Sequence, residues 1–171
     1  MKRWVAIAGV GAGVALIAIP VAVWAANKRA AGDPETAAVV AMMVSENGIG
    51  APDDAMGAVA EVFWRNAERA DATPREVLAG KGGGKAPWPT ATRYKALMAT
   101  SRITLAADAG RARELGAIAR AARTSERVPG ATNWTHGGAP FEPWLAKGYT
   151  VVASFKVPSR TRPYLWVYRQ P

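Results

Sequence analysis

Residues 33–48 read DPETAAVVAMMVSENG. Asp33-Pro34-Glu35 has the form of a helix start: a side chain able to accept from the first free N–H groups, a proline in the first turn, and an acid near the positive helix end. Asn47-Gly48 is a stop signal. Between them the chain is apolar on nearly every side, from Ala37 through Val44. A helix without a polar face must be covered all round, so this segment is expected to be the central helix of the fold. The helix is expected to run to about Glu46, which then places a carboxylate where the core ends.

Working outward, Asp53-Asp54 opens a second helix that reaches about Arg69, with Met56, Val59, Ala60, Phe63 and Ala67 on one face. Thr73-Pro74-Arg75-Glu76 has the spacing of a capping box and starts a short helix. GKGGGKAPWP (80–89) reads as a loop, and it is not a phosphate loop, because its spacing is one residue short and Ala86 stands in place of Ser or Thr. Helices are expected over about 90–107 and 111–124, followed by a long Gly/Pro/aromatic loop over 128–148. The period then changes to two. YTVVASFKV (149–157) and YLWVYRQ (164–170), separated by PSRTRP, read as a terminal hairpin.

Upstream, residues 4–26 carry no charge. About 20 such residues span a bilayer, whereas a signal-peptide core runs to about 15. Trp4 and Trp24 lie about 30 Å apart at helical rise, with Lys2-Arg3 and Lys28-Arg29 just outside. The reading is a transmembrane helix serving as membrane anchor, with a cleaved signal as the alternative. The expected organisation is residues 1–29 as anchor or signal segment, 30–34 as linker and 35–171 as one catalytic domain. The fold class is mainly α with a C-terminal β-hairpin, and the soluble domain lies on the extracytoplasmic side.

Composition removes several functions. There is no cysteine and a single histidine, His136, so disulfides and Cys- or His-rich metal sites are excluded and no cofactor is expected. The net charge is +9, four of it flanking the apolar segment. A basic domain suits an anionic polymer. No nucleic-acid motif or dense Lys/Arg run is present, which leaves a membrane surface or a cell wall among polymers of that kind.

Two regions carry chemistry. The negative end of its helix and its apolar neighbours both favour the protonated form of Glu46, the form a general acid needs. A helix-end glutamate turned to solvent is the plain alternative. The second region is PGATNWTHGG (129–138), where Thr132, Asn133, Trp134 and His136 gather polar and aromatic groups of the kind that bind sugars. Trp134 could equally plug the core. Tyr164, Trp166 and Tyr168 share one strand face and either line a cleft or pack on the helices.

Taken in order, these pieces resemble the SleB-type cell wall hydrolases over about residues 35–171. SENGIG (45–50) corresponds to that family's EARGE-like motif with Glu46 at its first Glu. VAEVFWRN (59–66) resembles a VA-VILNR helix, TPREVLAGK (73–81) a P-TI-EVI segment, GATNWTH and EPW (130–144) a GATHFH…PPW stretch, and YLWVYR the closing strand. The chain departs from the pattern at Gly50, Asn133 and Tyr164, which stand where the family has Glu, His and His. The resemblance implies a lysozyme-like fold and cleavage of the peptidoglycan β-1,4 bond by a single catalytic Glu46, with Thr132, Asn133, Trp134, His136, Tyr164 and Tyr168 against the glycan. A lytic transglycosylase is preferred, because a hydrolase needs two carboxylates about 5–9.5 Å apart and Asp53 and Asp54 are explained as helix caps. A hydrolytic muramidase, phage-encoded or virion-associated, and a non-catalytic wall-binding protein are the alternatives.

Overall fold

A computed structural model of the chain describes residues 33–79, 108–157 and 164–171. The apolar segment 4–26, the loop 80–89, the helix expected over 90–107 and the PSRTRP turn lie outside the described residues.

Helix α1 spans Pro34–Asn47, as its end signals require. Asp33 Oδ1 accepts from the N–H groups of Glu35 and Thr36, and its Oδ2 from the Thr36 hydroxyl at 2.6 Å. Burial alone would raise the Asp33 pKa, but these donors outweigh it and hold the carboxyl below its ordinary value. Gly48, at φ 78°, ends the helix and returns its N–H to the Val44 carbonyl. Val39, Met42 and Met43 are fully buried, and α1 packs on α2 (Asp53–Arg69), α3 (Pro74–Leu78) and α4 (Ala109–Ala122). Helix α2 packs on the same neighbours and also meets the sheet, so α1 shares the centre of the described fold with it.

The caps of the other helices follow their chemistry. Thr73 and Glu76 make both bonds of a capping box at α3. Asp108 accepts from Arg111 N at 2.9 Å and starts α4 two residues earlier than the sequence suggested. At α2, Pro52 occupies the cap position with no side-chain bond. Asp54 accepts from Ala55 N–H, while Asp53 pairs with Arg111 at 2.7 Å. Arg111 also donates to the carbonyls of Ile49 and Ala51, which ties α4 to the turn after Glu46. Burial acts to lower its pKa; Asp53 and Glu114 outweigh this and raise it.

The β region corrects the expected fold class. In place of a mainly α chain with a terminal hairpin, the described structure is about half helix with a three-stranded antiparallel sheet. Its strands are β1 (Asn133–Gly137), β2 (Thr150–Lys156) and β3 (Tyr164–Arg169), in the order β1-β3-β2. A short helix α5 (Glu142–Leu145) lies between β1 and β2. The physical reason is that a hairpin alone would leave one edge of β3 with unpaired backbone groups. NWTHG fills that edge, with Asn133 opposite Tyr168 and Gly137 opposite Tyr164. Part of the segment expected to be loop is therefore strand. Among the described residues no helix is long and apolar enough to cross a membrane, so the transmembrane helix is no part of the described fold.

Side chains of α2 fix the start of β1. Arg65 donates to the carbonyls of Val128 and Ala131, and Asn66 donates to that of Thr132 at 2.8 Å. Glu61 Oε1 accepts from Arg65 at 2.7 Å and from Val128 N–H at 3.2 Å. Gly130, at φ 68°, makes the turn in between.

Candidate active site

A strand has a period of two, and in β1 that period sorts the candidate residues. Trp134 and His136 face the helices. Asn133, Thr135 and Gly137 face the other way, with Tyr164, Trp166 and Tyr168 of the neighbouring β3. Leu165 and Val167, between those aromatics, are fully buried in the core.

On the helical side, the Trp134 indole N–H donates to Glu46 Oε2 at 3.1 Å. His136 Nδ1 lies 3.8 Å from the same oxygen, and its Nε2 lies 2.8 Å from Asn47 Oδ1. Asn47 is fully buried, and its Nδ2 donates to the Ala55 carbonyl of α2. The end of α1 is thus joined to β1 by two adjacent residues, Glu46 through Trp134 and Asn47 through His136. The Glu46 side chain keeps 24% of its exposure, so it lies at the rim of the core and not in open solvent. Because Oε2 accepts the indole hydrogen bond, Oε1 is the oxygen left to carry a proton when the carboxyl is neutral. Among the described residues no hydrogen-bond donor reaches Oε1.

The outer face is a different place. Tyr168 is fully buried. Its hydroxyl accepts from Phe141 N–H at 2.7 Å and lies 3.2 Å from the Thr135 hydroxyl, and its ring meets Trp144 edge-on. Tyr168 therefore has no free surface for a glycan, which corrects the expectation that it binds one. Tyr164 is exposed on this face, tilted against Trp166. Asn133 sits at the start of β1 with its Oδ1 accepting from the Thr132 hydroxyl. Thr132 is itself buried and pairs through its N–H with the Tyr168 carbonyl. Of the expected set, then, the fold brings Trp134 and His136 to Glu46. It places Asn133, Tyr164 and Tyr168 across the sheet and uses Thr132 in the join between β1 and α2.

Asn47 is the residue that sequence reasoning passed over. Beside Gly48 it reads only as a stop signal, yet its side chain bridges α1, α2 and β1. Glu61 and Arg65 were also missed, although four-residue spacing on one helix is a signal for a paired Glu and Arg. Other acids near the site have partners: Asp53 with Arg111, Asp54 with Ala55 N–H, Glu61 with Arg65 and Val128 N–H. No group of three or more His, Asp or Glu side chains among the described residues could hold a metal ion. The arrangement offers one carboxyl at a partly open position, one oxygen held and the other without a donor among the described residues. Comparison with family models, with curated proteins and with solved structures gave no match.

Proposed function

We propose that the chain is a peptidoglycan-cleaving glycosidase, a lytic transglycosylase acting on the β-1,4 bond between N-acetylmuramic acid and N-acetylglucosamine. The observation that carries this reading is the division of labour on Glu46: Oε2 held by Trp134, and Oε1, at the rim of the core, without a donor among the described residues. The resemblance of the ordered motifs to those of SleB-type hydrolases supports the substrate class. Glu46 Oε1–H protonates the glycosidic oxygen as the bond from muramoyl C1 breaks, and the N-acetylglucosamine hydroxyl leaves. The carboxylate so formed takes the proton of the muramoyl 6-hydroxyl as its oxygen bonds to C1. The 1,6-anhydro ring closes and Glu46 is protonated again. No water is consumed, and one carboxyl serves both halves.

The partners of Asp53, Asp54 and Glu61 favour this route over a hydrolytic muramidase, which requires a second carboxylate. The test is digestion of purified peptidoglycan by the unmodified chain and by Glu46→Gln, with mass analysis of the products. The expected product is one water lighter than the hydrolytic one, and Glu46→Gln lowers turnover by about 10²–10⁴-fold. Turnover that survives Glu46→Gln removes the assignment. A product carrying the extra water selects the muramidase, and no turnover by either chain selects a wall-binding role.

A further inference from the structure

The Asn47 amide has only one consistent orientation. One of its ends faces the Ala55 carbonyl, which can only accept, so that end is the NH₂ group. The other end, Oδ1, can only accept, and it faces His136 Nε2 at 2.8 Å. The imidazole must therefore carry a proton on Nε2, whatever the charge of the ring. In the neutral ring this leaves a lone pair on Nδ1, the atom turned toward Glu46 Oε2 at 3.8 Å. In the charged ring, Nδ1–H faces that oxygen instead.

We propose that Asn47, His136 and Glu46 form one coupled unit in which Asn47 fixes the imidazole tautomer and His136 biases the protonation state of Glu46. The neutral ring presents a lone pair and favours the carboxylic acid. The charged ring presents a cation and favours the carboxylate. The contact is longer than a hydrogen bond, so the coupling is electrostatic and each group exchanges its proton with solvent. Among the described residues, Glu46, from α1, is the titratable side chain facing the ring. Asn47 and Trp134 complete its described polar surroundings on α1 and β1, and the neighbouring β3 presents apolar Leu165 and Val167 to the same side. Asn47 and His136 are positioning residues: they act through Glu46. The tautomer and the coupling stand on geometry, and only their effect on cleavage rests on the function proposed above.

His136 is the single histidine of the chain, so the imidazole ¹⁵N signals of the labelled full chain need no assignment. The expected spectrum of the neutral ring is that of the Nε2–H tautomer. Replacing Glu46 by Gln removes the facing charge. The proton affinity of the ring should then fall by about fivefold or more, the Coulomb value for charges 4 Å apart in water. Asn47→Ala should mix the tautomers. Because a buried amide is lost, that variant could fail to fold; the tautomer of the unmodified chain and the Glu46→Gln titration decide the matter without it. An Nδ1–H tautomer in the unmodified chain overturns the role of Asn47. An unchanged midpoint in Glu46→Gln overturns the coupling. If the midpoint moves while peptidoglycan stays intact, this unit stands and the proposed activity falls. If peptidoglycan is cleaved while the midpoint stays fixed, the reverse holds. Where cleavage is observed, its pH profile should contain the imidazole midpoint in the unmodified chain and lose it in His136→Gln.

Discussion

Glu46, in the last turn of α1, and Glu61, in the middle of α2, are both received by residues of the 128–137 segment. Trp134 donates to one and Val128 N–H to the other. Each has one oxygen engaged and one without a described partner. What differs is where the second oxygen lies. Glu61 keeps 2% of its side-chain exposure, and its Oε2 is sealed in the interior. Arg65 supplies a cation at 2.7 Å on Oε1, which makes the burial tolerable. Among the described residues no guanidinium or ammonium group pairs with Glu46, which has the His136 ring 3.8 Å away and keeps an open side. A carboxylate enclosed beside a guanidinium holds backbone in place. One left at the rim with a single neutral donor keeps a side open to a ligand. Residue type is the same in both, and the surroundings set the use.

The largest expected effect tests the enclosed half of this contrast. Arg65→Ala should destabilise the fold by about 3 kcal/mol or more, because it leaves Glu61 charged and buried while freeing two carbonyls. Denaturant unfolding measures it, and Glu46→Gln should leave the same midpoint almost unmoved. Equal losses in the two variants would erase the distinction between them. Next in size, Trp134→Phe keeps the ring and removes the N–H. Cleavage should drop about tenfold, the equivalent of a single hydrogen bond of about 1.4 kcal/mol. An unchanged rate would mean that Oε2 needs no anchor.

A smaller effect is expected far from both acids. Asp33→Ala should cost about 1 kcal/mol as a lost helix cap. Because the Asp33 carboxyl is held below its ordinary pKa, the charge-dependent share of that stability is present above the unfolded-state value and is lost as pH falls through the folded one. The gap between variant and unmodified chain should therefore narrow at low pH, as urea titrations at neutral and acidic pH would show. A gap that widens in acid would contradict the cap. Smallest of all, Tyr164→Ser on the outer sheet face should change stability by no more than about 0.5 kcal/mol and leave cleavage as it was. A clear loss of cleavage would bring the outer face into the site.

The helices were legible because their signals are local. Asp33-Pro34, the Thr73–Glu76 box and Gly48 act within one turn of the residues they govern. Strand β1 was not legible. NWTHG has no apolar alternation, since its inward residues are Trp and His and its outward ones Asn, Thr and Gly. Its partner β3 lies about thirty residues on, and nothing local sets that register. This explains the mixed result at the site. Composition singled out the 129–138 segment and the residue types within it. It treated them as one loop, so the division of Trp134 and His136 from Asn133 could not be seen. Glu46 meets Trp134 across 88 positions, and Asn47 meets His136 across 89. Contacts at that range leave no periodic trace.

The strand order has a consequence for how the chain acquires its site during synthesis. Neither β1 nor β2 pairs with the other; both are zipped to β3, the last of the three described strands to be synthesised. Helices α1 and α2 can pack on each other as they emerge, with Glu46 already at the end of α1. Trp134 and His136 have no ladder to hold them until residues 164–169 are made. At about 5–20 residues per second the interval is a few seconds. Through it the helical half is built while the wall opposite Glu46 is absent, so a nascent chain remains without its site until β3 is in place.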